Sequence, residues 1–285
     1  MNRALGALLL GATCIALSPI FVRLSEAGPT ATAFWRVVLA VPPLWFFYLL
    51  KEKPSRDRPA AQWPLLLAAG LAFAGDLAFW HASVQLTSVA NSTLLANLSS
   101  LFVTLAAWVF LRERPSRLFL TGLGLALFGV TLLVRTSLQS SPTALAGDAL
   151  GVVTAMFYAG YILAVKGLRD RGKSVLRIMA VTSTLTAVIL LPVALATGEQ
   201  FFPTSGAGWL VLLGLALVSH AAGQGLIAYA LAHLPAAFSS VGLLLQPVVA
   251  AFFAWLLLAE PLVALQIAGG LIVLAGIYLA RRGSA

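Results

Sequence analysis

The sequence predicts an all-α membrane protein of ten transmembrane helices in a 5+5 inverted repeat, and three observations carry that reading. The first is composition. Of 285 residues, 60% are hydrophobic and 9% are charged, with a mean hydropathy of +0.97; a soluble domain carries about 25% charged residues. The second is an internal repeat. Residues 90–134, ANSTLLANLSSLFVTLAAWVFLRERPSRLFLTGLGLALFGVTLLV, align with residues 237–281 at a constant offset of 147 positions and without a gap. Ala90 falls on Ala237, Ser92 on Ser239, Trp108 on Trp255, Glu113 on Glu260, Gly122 on Gly269 and Gly129 on Gly276. The third is the placement of Lys and Arg, which separates the loops into a basic set and a nearly neutral one.

Ten apolar segments of span length can be counted, at roughly 4–22, 30–50, 62–84, 89–111, 116–135, 147–166, 175–196, 208–231, 236–258 and 262–280. A span needs about 20 residues, so these segments use the whole chain as one transmembrane domain, 1–285, with halves 1–140 and 147–285. Several segments open after a proline or a small polar residue (Pro29, Pro64, Ser116, Pro235, Pro261), where helices start. The first, MNRALGALLLGATCIALSPIF, has the basic start and apolar run of a signal peptide but no small-x-small cleavage site, and reads as an uncleaved span. The single Cys14 excludes an intramolecular disulfide and a multi-cysteine metal site.

With the N-terminus in the cytoplasm, fifteen of the eighteen Lys and Arg residues lie on the inner side and only Arg23 and Arg135 on the outer; Arg36 falls inside a span. The positive-inside rule therefore places both termini in the cytoplasm. The net charge of +9 belongs to these loops and to anionic lipid, not to nucleic acid. The fourth and ninth segments then cross in opposite senses, with Glu113 inside and Glu260 outside. Halves of five spans each must be inverted relative to one another, a symmetry typical of secondary transporters.

The runs SPIFVRLSEAGPTATAFWRVVLA (18–40), LLANLSSLFVTLAAWVFLRERPSRLFLTGLGLALFGVTLLV and LLLQPVVAAFFAWLLLAEPLVALQIAGGLIVLAGIYL resemble the EamA branch of the drug/metabolite transporter superfamily. The resemblance spans nearly the whole chain, with the Glu-Pro turn and spaced glycines occurring in duplicate. It implies ten spans in two inverted EamA repeats and a small-metabolite exporter of the bacterial inner membrane, most similar to aromatic amino-acid exporters. The family carries proline in mid-span in both copies. Here Pro247 keeps it and Ser100 replaces it.

Polar residues within spans face the bundle or a cavity. Thr93, Asn97, Ser100 and Thr104 share one helical face, where they either bond neighbouring helices or line a cavity; Asn97 is the strongest candidate, because an unpaired amide in hydrocarbon costs several kcal/mol. Tyr158, near the middle of its span with Tyr161 one turn on, can stack on a flat solute and bond it through the hydroxyl. His220 and Gln224 sit at mid-depth. Gln246 stands beside Pro247, which frees a backbone carbonyl. In the third segment Asp76 and Trp80 share a face, with His81 about 140° away. Arg36 is the expected ion-pair or coupling partner of Asp76. Gly147 and Gly151 have GxxxG spacing and favour close helix packing.

The candidate substrate-binding residues are thus Asn97, Ser100, Tyr158, His220, Gln246, Trp80 and His81, with Arg36 and Asp76 as a possible pair; no cofactor and no metal site are expected. A carrier reading competes with a small-solute channel and with a membrane enzyme. No filter-like glycine run supports a channel. His81, His220 and His233 lack metal-ligand spacing, and no phosphate-binding GxxxxGK[ST] loop occurs. A sugar phosphate needs several cations in the cavity, and the spans offer Arg36 alone. The expected solute is an amino acid with an aromatic or other apolar side chain, suited to Trp80, Tyr158, Tyr229 and Phe253, with a nucleoside or nucleotide precursor as the alternative. Asp76, His81 and His220 are the candidates for proton coupling. A monomer is the expected state.

Overall fold

The computed structural model describes residues 2–51, 62–86, 92, 95–110, 114–134, 144–258 and 263–283. Glu113, Glu260, Thr93 and Arg135 lie outside the described residues. Those described are helical, with no strand among them: α1 Asn2–Ala16, α2 Ser18–Leu24, α3 Pro29–Val38, α4 Val41–Lys51, α5 Trp63–Leu86, α6 Ser99–Phe110, α7 Arg117–Val134, α8 Ala144–Asp170, α9 Val175–Ala196, α10 Gly206–Gly214, a π-helical stretch Leu215–Gln224, α11 Gly225–Ala230, α12 Ala236–Gly242, α13 Leu245–Leu258 and α14 Ala264–Gly283. Among the described residues eight helical segments, several of them joining two of these elements, are long and apolar enough to cross a bilayer. Two further apolar helices, Ser99–Phe110 and Arg117–Leu132, are shorter and stand where the fourth and fifth spans are read in the sequence.

Apolar side chains face outward as well as filling the core, and polar ones are buried among them. Phe110 is 80% exposed and Leu210 70%, while Arg36, Ser83, Ser183, His220 and Gln224 are buried. A soluble monomer rarely shows so much apolar surface; a bilayer accepts it. Lipid offers no hydrogen-bond partner, so hydroxyls find one inside. Thr13, Thr121, Thr131, Thr182 and Thr184 each donate to the carbonyl four residues earlier. Others bond across helices: Ser83 Oγ donates to Gly147 O at 2.7 Å, Thr186 Oγ1 to Gly70 O at 3.1 Å and Ser219 Oγ to Cys14 O at 2.9 Å.

The tightest contact is between α7 and α14, the sequence-equivalent helices of the repeat. They run antiparallel, and their glycines exchange partners. A Cβ on Gly122 would stand 2.4 Å from Ala280 N and 2.7 Å from Gly276 O; one on Gly129 would stand 2.7 Å from Gly269 O and from Val273 N. Gly122 corresponds to Gly269 and Gly129 to Gly276, so each glycine meets the counterpart of the other. Such an exchange is what a local two-fold axis between the two helices produces. The other packing follows the same rule. α1 lies on the π-helical stretch and α11, as α8 lies on α5; α6 touches α8, as α13 touches α1; α6 also meets α12, and α3 meets α9.

At one end the loops on either side of this arrangement cap each other's helices. The Glu26 carboxylate accepts bonds from the Thr204 and Ser205 amides at 2.7 and 2.9 Å, and from both hydroxyls, at the start of α10. Glu199 in turn accepts from the Thr30 amide at 2.9 Å and hydroxyl at 3.2 Å, at the start of α3. Carboxylates suit helix N-termini because they answer unpaired amides. Trp35 packs beneath, its indole donating to Phe201 O at 2.7 Å and its ring 4.9 Å from Trp209.

Replacing Gly276 with leucine drives a side chain into the backbone of α7, where Ala126 N lies 2.5 Å from the Cβ position; overpacking of this kind costs about 1–3 kcal/mol or more, read as a lowered melting temperature in detergent, while Gly124→Leu, with open space at its Cβ, leaves the melting temperature near wild type. The Ser205 and Thr204 bonds push the Glu26 carboxyl down to about 2 from 4.5. A depressed carboxyl stabilises fully above its unfolded pKa and loses that contribution as pH falls through the folded one. The stability difference between wild type and Glu26→Gln is therefore full at neutral pH and shrinks between pH 4.5 and about pH 2, which thermal melts across that range measure.

Candidate functional site

The site begins with interruptions in the helices. α1 and α2 are separated by a turn at Leu17 just before Pro19, and α12 and α13 by a turn at 243–244 just before Pro247. Proline has no N–H to donate and its ring crowds the carbonyl four residues back, so the backbone tightens: Leu244 N bonds Val241 O at 3.0 Å and Gln246 N bonds Leu243 O at 2.9 Å. The repeat-equivalent stretch breaks within one residue of the same place, at 97–98, although it has no proline. Ser100 does the work through its side chain, donating from Oγ to Asn97 O at 2.8 Å, while its amide makes only a 3.3 Å bond to the same carbonyl. A hydroxyl that bonds backward in this way bends a helix.

These breaks meet around a central cavity of about 120 Å³. Its lining includes Ser18 and Pro19 after the first break, Ala96, Asn97 and Ser99 around the second, and Ser240, Leu243, Gln246 and Pro247 around the third. Arg36 enters from α3, Asp76, Leu77 and Trp80 from α5, Tyr158 from α8, and Gln224 from the end of the π-helical stretch. π-helical turns inside α-helices often accompany functional sites.

The polarity of the lining is uncompensated. Arg36 Nε, Tyr158 Oη, Gln224 Oε1, Gln246 Nε2 and Ser18 Oγ are all buried without a hydrogen-bond partner. Tyr158 Oη faces the amides of Gln224 and Gln246 without an ordinary hydrogen bond to either. Arg36 is only 5% exposed, and it and Asp76 lie within each other's field without ion-pair contact. The close pair expected from the sequence is thus not formed; two opposite charges share the cavity instead. Buried polar groups cost about 1–3 kcal/mol each when unanswered, so the cavity is arranged for a polar guest.

Tyr158 is held from behind by a file of rings. It stacks with Tyr161 at 6.1 Å, Tyr161 lies 4.8 Å from Phe73, and Phe73 stacks with His220 at 5.3 Å. The Tyr161 hydroxyl reaches Met179 Sδ at 3.8 Å.

Of the residues singled out in the sequence, Asn97, Tyr158, Gln246, Trp80, Arg36 and Asp76 line the cavity. The other three candidate binding residues do not. His220 is hydrogen-bonded to Ser183 Oγ at 2.7 Å, one layer behind the wall. His81 is turned to Leu77 O at 2.6 Å, its ring edge-on to Trp80. Ser100 is spent on its own backbone, as is Thr104, which donates to Ser100 O. Tyr229 is 38% exposed beside His233, and Phe253 packs with Phe252; neither lines the cavity. Gln224, Ser240 and Ser99 join the lining. The first was visible as a mid-depth amide, the other two only as hydroxyls among many. Among the described residues no cluster of three or more His, Cys, Asp and Glu is placed to hold a metal ion.

The chain matches the EamA-like transporter family twice, over residues 2–135 and 145–282. It is 29% identical over 270 residues to a probable amino-acid metabolite efflux pump of Salmonella typhimurium, covering 91% of this chain and 88% of that one. It is 30% identical to an uncharacterized transporter of Archaeoglobus fulgidus, with 91% of each covered, and 28% identical to a pseudopaline exporter of Pseudomonas aeruginosa, with 82% and 81% covered. A solved crystal structure superposes with a TM-score of 0.86 over 99% of this chain and 98% of the other at 14% identity, which bears on the fold alone.

Because the break at Asn97 already exists, Ser100→Pro is expected to be tolerated, with expression and melting temperature near wild type, whereas Ser100→Leu, which removes the hydroxyl and overfills a fully buried position, lowers the melting temperature; an interior proline in an intact helix would instead cost about 3 kcal/mol or more.

Proposed function

Because the chain belongs to the EamA-like transporter family, we propose that it is a secondary transporter that exports small metabolites, amino acids with aromatic or other apolar side chains, across the bacterial inner membrane by alternating access. Family membership makes it a multi-pass membrane transporter and not an enzyme. The observation that carries the functional reading is the polar cavity where broken helices from both family copies meet, with five buried polar atoms unanswered. Transporter sites of this kind lie at the interface of two repeats, beside discontinuous helices.

The finer points extend from the same observations. Ten spans arranged five and five, with halves 1–140 and 147–285 inverted and both termini in the cytoplasm, are supported by the exchange of glycine partners between α7 and α14 and by the one-sided Lys and Arg. Asn97, Tyr158, Gln246 and Trp80, together with Gln224, contact the solute. Ser100 shapes the break beside Asn97, His220 anchors the rings behind Tyr158, and His81 steadies Trp80. The amino-acid reading is supported by the likeness to the Salmonella probable amino-acid metabolite efflux pump and by the aromatic and aliphatic part of the lining.

Export is tested with purified protein in proteoliposomes, as trans-stimulated exchange of amino acids, nucleosides and sugar phosphates. Saturable exchange of apolar amino acids is expected, and Tyr158→Ala and Gln246→Ala should raise the KM for that exchange about tenfold, in line with losing a hydrogen bond of 1–1.5 kcal/mol. Exchange confined to sugar phosphates, or a KM unmoved by either substitution, would contradict this reading.

A further inference from the structure

We infer that the cavity reads the two charges of a free α-amino acid separately, Arg36 receiving the α-carboxylate and Asp76 the α-ammonium group, so that a solute must carry both to be moved. This rests on the exporter reading above and specifies its substrate class.

The first argument is the separation of the two charges. Arg36 on α3 and Asp76 on α5 line one cavity and interact electrostatically, yet they do not close on each other. A pair that served only to fasten α3 to α5 would be in contact, because isolated charges away from water are expensive. Arg36 is 5% exposed and its Nε has no partner. A guanidinium is built to grip a carboxylate through two parallel N–H bonds.

The second argument is charge balance. Among the described residues the lining holds one basic and one acidic side chain, Arg36 and Asp76, and its other polar groups are neutral: Ser18, Asn97, Ser99, Tyr158, Gln224, Ser240 and Gln246. A phosphate monoester would answer Arg36 but face Asp76 with like charge. A neutral nucleoside would leave both charges unanswered. A simple amine or a simple carboxylate would answer one and leave the other buried and alone. A zwitterion answers both at once, and the apolar part of the wall, with Leu77, Trp80 and Leu243, remains for its side chain. The neutral amides of Gln224 and Gln246 stand close to Tyr158 on the same wall.

The test is competition against L-phenylalanine exchange in proteoliposomes by three analogues: phenethylamine, which lacks the carboxylate; 3-phenylpropionate, which lacks the ammonium group; and N-acetyl-L-phenylalanine, which blocks it. Wild-type protein should favour unlabelled L-phenylalanine over each analogue by at least about tenfold, since a site built around a polar group rejects ligands lacking it. Asp76→Asn should shift the ratio of 3-phenylpropionate to L-phenylalanine competition upward, and Arg36→Gln that of phenethylamine. Analogues competing within about threefold of L-phenylalanine on the wild type, or the same ranking in both folded variants, would overturn the inference. Should either variant fail to emerge as a single species on gel filtration, the wild-type ranking decides. Wild-type exchange of some other metabolite class with no amino acid accepted overturns this inference and leaves the exporter reading standing; folded protein that exchanges none of the solutes overturns both.

Discussion

Hydrocarbon offers no hydrogen-bond partner, and the architecture is a response to that. Backbone groups are closed within helices, and most span hydroxyls return their proton to a carbonyl four residues back or to a neighbouring helix. Against this background the central cavity stands out physically. There the guanidinium of Arg36, the phenol of Tyr158 and two glutamine amides converge with polar atoms unpaired. Isolated burial of this kind is expensive; single unpaired atoms occur elsewhere, as at Thr154 and His220, but five gather where the chain gives up helical regularity. The cost of the site and the irregularity of the backbone are therefore one feature, since a broken helix supplies both the space and the loosened carbonyls.

The two copies reach that irregularity by different chemistry. Near 243–244 proline removes an N–H; near 97–98 a serine hydroxyl takes the carbonyl that a regular helix would have kept. The shape is thus maintained while the residue changes: Pro247 crowds Leu243 O, the counterpart of Ala96 O, and Ser100 bonds the next carbonyl along, Asn97 O. Close packing of α7 on α14 allows no such latitude. There the contact is backbone to backbone, and only the absence of a side chain satisfies it.

Much of the fold was readable because it is carried by period and spacing: the apolar runs, the offset between residues 90–134 and 237–281, and the glycines at 122, 129, 269 and 276. The break at 97–98, by contrast, falls inside the run read as the fourth span, because hydropathy does not register where a helix breaks. The site was readable where helical phase decides it, as with Asp76 and Trp80 on one face; His81, named as a candidate although about 140° from Asp76, turns to Leu77 O instead. It was unreadable where a side chain is absorbed locally. Nothing in the sequence distinguishes Ser100 bonded to its own backbone from a serine open to a cavity. His220 has the same depth as the lining residues, but it lies in a π-helical stretch, whose angular step differs from that of the α-helix assumed in reading it; Gln224, four residues on, reaches the cavity while His220 meets Ser183. The separation of Arg36 from Asp76 is a distance between helices, and sequence contains no such distance.

The reciprocal carboxylate caps have a mechanical consequence. Glu26 belongs to the first family copy and holds the start of a helix in the second; Glu199 belongs to the second and holds the start of a helix in the first. Both ties lie at one end of the molecule, over the Trp35 ring cluster. The copies also interlock along their length, with α1 of the first against α11 of the second and α8 of the second against α5 of the first. The paired caps therefore fasten at one rim two chains of helices that already clasp each other, and neither copy can shift there without dragging a helix start of the other.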